Sequence, residues 1–397
     1  MPEKNALAAI DAAGFARELK LLRAEIDANI GEEDFRHLKK IEWWGRICSI
    51  LGYATAPIFP NPLSAFLISQ GNTARWTIMM HHIGHKGYDK VSCPERYKST
   101  GFAVGKRRFI DWFDWMHPEA WKHEHNVLHH YHTGEVSDPD LVERNVELIR
   151  TARIPVFMKY FAVLFFMCTW KFTYYAPNTF WIFQKNRDKK ARIKNEVKEN
   201  GNFPGSELLL PFSKQALEFW AQCMLPYILI RFIALPLLFL PFGTTACLYV
   251  LFNSLLAELI TNIHTFMIIA PNHAGDDVFR YETRTRDLNE FYIRQVAGSV
   301  NYPCGNDRVD FMHGWLNYQI EHHLFPDLPL LKYQQYQPRV KQLCEKYEVP
   351  YVQQNVFVRM KKLTEIMVGK KSMLSITSIS AKESVEAHSN LVATQPL

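Results

Sequence analysis

The sequence predicts an all-α integral membrane protein: four transmembrane helices, paired as two hairpins, under a cytosolic helical cap that gathers histidines. Three observations carry this expectation. Apolar stretches near 43–59, 63–80, 217–241 and 244–269 each approach the roughly 20 residues that a bilayer crossing needs. Fourteen of the sixteen histidines lie between positions 81 and 323, mostly in three tight clusters beside apolar stretches. Hydrophobic residues make up 48% and aromatics 14%, yet the mean hydropathy is slightly negative, which fits few spans and a large water-facing part.

The net charge of +6 is modest and distributed, so a nucleic-acid partner is disfavoured and a basic face toward anionic lipid headgroups is the simpler reading. The seven cysteines are scattered and form no Cys-x-x-Cys pair. Cys168, Cys223 and Cys247 sit in apolar runs as small hydrophobes, which argues against a disulfide framework or a thiolate zinc site. The N-terminus is polar with mixed charge, so no cleavable signal peptide is expected.

Residues 1–40 are polar, with Phe15, Leu19, Leu22 and Ile26 at helical spacing, and predict an amphipathic helix. Residues 41–370 form the membrane domain. Its first hairpin turns at Pro57, Pro60, Asn61 and Pro62, although Arg46 and Arg75 blur the ends of its spans. A basic run from Lys86 to Arg108 then marks the cytosolic side. Residues 152–183 are apolar but interrupted by Lys159, Lys171 and Pro177. With basic flanks on both sides, the segment is expected to lie in the interface. Trp112, Trp115, Trp121 and Pro118 read as an interfacial aromatic belt. A second hairpin follows, joined by Pro241-Phe242-Gly243, and residues 371–397, rich in Ser, Ala and Thr, predict a disordered tail.

The clusters read His81-His82-Ile83-Gly84-His85, then His123-Glu124-His125-Asn126-Val127-Leu128-His129-His130-Tyr131-His132, then Gln319-Ile320-Glu321-His322-His323. On a helix His81 and His85 share a face, as do His125 and His129, and Gln319 lies one turn before His322 and His323. Neutral imidazoles converging from separate segments suit a site for more than one transition metal. A single histidine is as readily a satisfied core residue. Three clusters together exceed what packing requires.

The ordered set His81…His85, His125…His129-His130 and Gln319…His322-His323 resembles the histidine boxes of the membrane fatty acid desaturase family, over about His81 to Pro329. The stretches Phe291-Tyr292-Ile293-Arg294-Gln295 and Gly314 to Pro326 are similar to acyl-lipid and front-end members, and Asn272-His273-Ala274-Gly275 matches their isolated His-x-Gly. The resemblance implies oxygen-dependent desaturation of a long fatty acyl chain, lipid-linked or as acyl-CoA. It implies two iron ions held by His81, His85, His125, His129, His130, His273, His322 and His323, with Gln319 a weak oxygen ligand or an outer support. Glu124, Glu321, Asp89 and Asp138 are available to accept from ligand ring N–H groups. His82, His123, His132 and His313 fit better as hydrogen-bonding neighbours. His264 and Glu258 lie within the last span, where Glu258 either lines an acyl channel or pairs with a neighbour.

Two departures limit the inheritance. No His-Pro-Gly-Gly haem-binding sequence of a fused cytochrome b5 occurs, so electrons are expected from a separate cytochrome b5 or ferredoxin. The second box has three residues between its first His and its His pair, where front-end enzymes commonly have two, so bond position is not inherited. Such a protein would sit in the endoplasmic reticulum if eukaryotic and in the inner membrane if bacterial. A hydroxylase or ketolase of the same superfamily would use the same irons. A membrane metal transporter would instead place its ligands at the bilayer midplane, whereas these lie at span ends and in polar loops.

Overall fold

The structure, a computed structural model, describes residues 7–191, 204–285 and 287–376. Helix α1 (Ala12–Ala28) starts where the Asp11 side chain accepts from the Gly14 amide at 2.9 Å, satisfying a donor that the first turn leaves open. Its stripe of Phe15, Leu19, Leu22 and Ile26 is buried, each side chain contributing about 1.5–3 kcal/mol. Phe15 meets Tyr347 edge-on, which holds α1 to the cap.

Helices α2 (Glu32–Thr55) and α3 (62–84) form a hairpin. Asn61 caps α3 by accepting from the Ser64 amide at 2.7 Å, and Pro62 occupies the first turn, where its missing donor costs nothing. The end of α3 widens into π turns over Ala74–Met80. Helix α4 (118–132) widens in the same way over Lys122–His129. Such turns shift side chains off the 3.6-residue register and concentrate at functional sites. These two lie directly before the first histidine cluster and within the second, and three further π stretches, Lys171–Tyr175, Trp220–Met224 and Leu229–Ala234, lie away from the clusters.

Three helices among the described residues are long and apolar enough to cross a membrane: α5 (Val156–Arg187), α6 (Lys214–Phe242) and α7 (Thr244–His273). Two of the four expected spans, near 217–241 and 244–269, are among these three helices. The first hairpin is not among the three, because α2 carries Glu42 and Arg46 while α3 carries Gln70, Asn72 and Arg75. It nevertheless packs on α7 through Ala65, Ile68, Val250 and Ala257, and Asn253 donates to the Ala56 carbonyl at 2.9 Å. The segment expected in the interface is instead continuous helix. Its lysines turn inward: Lys171 reaches Asp114 at 2.7 Å with both side chains buried, and Lys159 donates to the Arg150 carbonyl. Its outward face keeps Phe157, Phe161 and Phe165 exposed.

The cap is completed by α8 (Leu288–Ala297), α9 (Gln319–Leu324), α10 (Leu330–Lys346) and α11 (Val356–Met367). The described residues are mostly helical, with two small parallel sheets among them that the all-α expectation omits. Strand β1 is Phe279–Tyr281, β2 is Val300–Asn301, β3 is Val352–Gln353 and β4 is Leu374–Ile376. β1 pairs with β4 and β2 with β3. The expected disordered tail therefore does not begin at 371. Met373 and Ile376 are buried and β4 is hydrogen-bonded, while 377–397 lie outside the described residues. The expected aromatic belt is also revised. All three tryptophans are buried in the core: Trp121, on α4, stacks on His125, Trp112 packs edge-on against Trp121, and Trp115 packs on Tyr227.

Candidate metal centre

Four elements deliver the histidines. His81 and His85 come from the end of α3, and His125, His129 and His130 from α4. His273 closes α7, and α9 carries His322 and His323. The structure brings all eight together as two groups, each with ring nitrogens within 4.8 Å of one another. The first holds His81, His85, His125, His130 and His322; the second holds His129, His273 and His323. In the first, His81 Nε2 lies 3.0 Å from His322 Nε2 and 3.1 Å from His125 Nε2. The groups adjoin where the rings of His130 and His323 stack with centroids 4.3 Å apart.

Contacts behind the rings fix which nitrogen faces inward. His129 Nδ1 lies 2.9 Å from Asp138 Oδ1, and His273 Nδ1 lies 3.1 Å from the Gly298 carbonyl. His323 Nδ1 lies 2.9 Å from Gln295 Oε1. An acceptor there holds the proton on Nδ1 and leaves the Nε2 lone pair for a ligand bond. His85 Nε2, His323 Nε2 and both ring nitrogens of His130 are buried with no hydrogen-bond partner among the described residues. Each such atom costs about 1–3 kcal/mol if left unsatisfied. A transition-metal cation between these rings removes that cost, so the donor set fits one.

Charge state points the same way. Burial, and then neighbouring imidazoles, hold His85, His125, His130, His322 and His323 well below the usual histidine pKa, so they stay neutral and ready to ligate. Burial would depress His129 too, but the Asp138 carboxylate more than offsets it and raises the pKa.

Of the four acidic residues expected behind the rings, only Asp138 bonds one. Glu321 is held by Asn301 at 2.8 Å and Tyr351 at 2.7 Å, Asp89 accepts from the Ser99 amide at 2.8 Å, and Glu124 is buried without a bond to either group. Burial nevertheless raises Glu321 to about 7. Gln319 places its amide nitrogen 2.8 Å from His273 Nε2 while its oxygen accepts from Asn272 at 3.1 Å. His82, His123, His132, His264 and His313 lie outside both groups. His82 bonds the Ile78 carbonyl, His132 bonds Glu135, His264 bonds the Met312 carbonyl and His313 bonds the Val309 carbonyl. Glu258 pairs rather than lining the channel: Trp115 and Tyr227 donate to it at 2.6 and 2.8 Å.

Sequence reasoning missed the roles of Gln295, Thr133 and Tyr333. Thr133 Oγ1 is 3.1 Å from His323 Nδ1, and Tyr333 OH is 3.3 Å from His322 Nδ1. Only Gln295 carried a signal, as the end of the Phe291–Gln295 stretch.

An apolar cavity of about 100 Å³ opens beside both groups. His125, His129 and His273 form one wall, with Trp76, Trp170 and Phe266 among the apolar residues lining the remainder. Trp121 stacks on His125 with centroids 4.7 Å apart. Such a space accepts hydrocarbon and offers water few partners.

Comparison with known proteins agrees with this geometry. A family profile described as fatty acid desaturase matches residues 57–355. An NADPH-dependent stearoyl-CoA 9-desaturase of Mycobacterium tuberculosis is 24% identical over 360 residues, 86% of this chain and 75% of that protein. A Delta(5) fatty acid desaturase A of Dictyostelium discoideum is 28% identical over 58% of this chain and 48% of its own length. A Delta(8)-fatty-acid desaturase 2 of Arabidopsis thaliana is 38% identical over 80 residues, 20% of this chain and 17% of that protein. No solved structure matches.

Proposed function

The chain belongs to the fatty acid desaturase family and is an oxidoreductase, and on that premise we propose oxygen-dependent insertion of a double bond into a long acyl chain. One observation carries the proposal: two adjoining groups of imidazoles, all but His273 buried, meet at an apolar cavity that His81, His125, His129 and His273 help to line.

In this reading, the first group and the second each hold one iron ion. The pair supplies the oxidising power from O2 that breaking unactivated C–H bonds demands. Asp138 and Gln295 keep the Nε2 atoms of His129 and His323 turned inward. Trp76, Trp170 and Phe266 hold the methylenes against the histidine wall and exclude water. Gln319 orients His273 or offers its amide oxygen after a flip, which the neighbouring Asn272 amide disfavours.

Electrons come from a donor such as cytochrome b5 or ferredoxin. The substrate is lipid-linked, as suggested by the likeness of the third box to acyl-lipid enzymes. An acyl-CoA is the second reading, favoured by the printed name of the M. tuberculosis relative. The membrane domain spans 41–370 in a multi-pass arrangement with its cap in the cytosol, in the endoplasmic reticulum or a bacterial inner membrane. Expression in a host lacking the product, with mass-spectrometric localisation of double bonds in lipid and acyl-CoA pools, tests this. New unsaturation confined to one pool names the carrier. Hydroxylated or ketone products without new unsaturation would establish the alternative chemistry.

A further inference from the structure

A second cleft, of about 70 Å³, opens on the other side of α3. Arg75 and Met79 line it, whereas Thr77 and His81 line the cavity beside the histidines, and the two clefts share no residue. Glu42, Arg46, Arg96, Phe102 and Ile110 also line it.

Its charges do not balance. Glu42 accepts from Lys39, from Arg46 and from the Tyr97 hydroxyl, the last at 2.8 Å. Asp111, also on the wall, is neutralised by Arg107 through bonds of 2.8 and 2.7 Å. Arg96 donates to the Tyr97 hydroxyl and lies over its ring at 4.5 Å, but reaches no carboxylate among the described residues. Arg75 has no hydrogen-bond or ion-pair partner among them. Lys39, Arg46, Arg75 and Arg96 thus face a single available carboxylate, Glu42, which leaves a net charge of +3.

Its height along the hairpin suits a headgroup. A Cβ on Gly45 would come within 2.7 Å of Ala74 Cβ, so α2 and α3 touch there and Arg46 lies level with Arg75. Arg75 precedes His81 by six residues, under about 9 Å along the helix because Ala74–Met80 is π-widened. That places it beneath the cap, near the end of the apolar segment. Ile110, on the wall, and Ile47, next in sequence to Arg46, are both exposed, and Arg46 lies 5.7 Å over the ring of Trp43, an indole suited to the interface.

We propose that this cleft binds the phosphate of an anionic phospholipid, with Arg75 and Arg96 on the phosphate oxygens and the acyl chains along Ile47 and Ile110. Guanidinium forks match phosphate geometry, and an anion there balances charge that the protein leaves uncompensated. The bound lipid is not the substrate, because α3 separates this cleft from the cavity.

The test uses the full chain in nanodiscs of phosphatidylcholine with or without phosphatidylglycerol, counting lipids retained after detergent extraction by native mass spectrometry. The wild type is expected to retain one phosphatidylglycerol, and Arg75→Gln and Arg96→Gln each to lower its retention about tenfold. Arg339→Gln, on the cap, should retain it. Unchanged metal content shows that a variant has folded; if Arg75→Gln does not, Arg96→Gln decides. Equal retention of phosphatidylcholine, unchanged retention in both folded variants, or displacement of all lipid by inorganic phosphate at the same site would each overturn the proposal.

Discussion

The Arg359 guanidinium donates to the Ala274 carbonyl at 2.9 Å, one residue past His273, and reaches Asp277 at 2.6 Å. Arg359 is fully buried, and a Cβ on Gly275 would lie 2.4 Å from its Nη2. Helix α11 therefore dictates the path of the loop that carries His273, although α11 contributes no histidine to the centre.

Arg359→Ala frees that loop and leaves Asp277 with Lys362 alone. Loss of such support weakens metal binding by about 10–100-fold. The expected result is iron falling from two toward one per chain, with the five-histidine group still loaded. Gly275→Ala should do the same by pushing the guanidinium away. Full iron in both variants would show that the loop holds its path without the clamp.

Asp138 binds His129 and also accepts from the Gly134 and Asp140 amides at 2.9 and 2.8 Å, so it organises the turn after α4. Asp138→Asn keeps the shape but loses the charge. Iron affinity should fall about tenfold or more while membrane insertion is unchanged, as measured by chelator competition.

The depressed pKa values of His85, His125, His130, His322 and His323 set a pH dependence for the metal-free protein. Below about 6.5 the unfolded chain binds protons at these rings while the folded chain does not. Stability is therefore complete above that pH and is lost as pH falls toward the folded values. The Tm of chelator-treated protein should drop between pH 7 and 5. A Tm that stays flat across that range would contradict the neutral, buried state of these rings.

Ending the chain at Ile376 should preserve iron content and Tm, whereas ending it at Met373 removes β4 and uncovers β1. Leu374 pairs with Phe279, and the Leu374 amide donates to the Val278 carbonyl at 2.9 Å, close to the His273 loop. The shorter chain should melt several degrees lower. Equal Tm values would make β4 dispensable.

Gln319→Ala removes the amide that touches His273 and should nearly abolish activity, while Gln319→His should keep iron and measurable turnover. Wild-type turnover in Gln319→Ala would place the residue outside the working site.

The histidine assembly was legible because box order and helical spacing are local facts. His125 and His129 sit i and i+4 whether the turn is regular or widened, so the π turns did not hide them. The partners behind the rings were not legible, because Gln295, Tyr333 and Arg359 act across packed elements far away in sequence. Asp89 and Glu321 show the converse, since being beside or near a box did not bring them to a ring. Lys171 misled for a related reason. A charge in an apolar run reads as an interruption unless its partner is known, and Asp114 lies in a separate loop. Residues 371–376 lack apolar periodicity, so only the pairing of β4 with β1 reveals their order.

The order in which the chain is made now acquires meaning. The five-histidine group lacks His322 and the three-histidine group lacks His273 and His323 until the last third of the sequence exists. On the proposed function, a nascent chain therefore cannot complete either histidine group before its apolar helices have been made, and metal delivery follows them. A product truncated before α9 would hold its orphan imidazoles in a cap that cannot close, and would be open to proteases rather than able to hold iron.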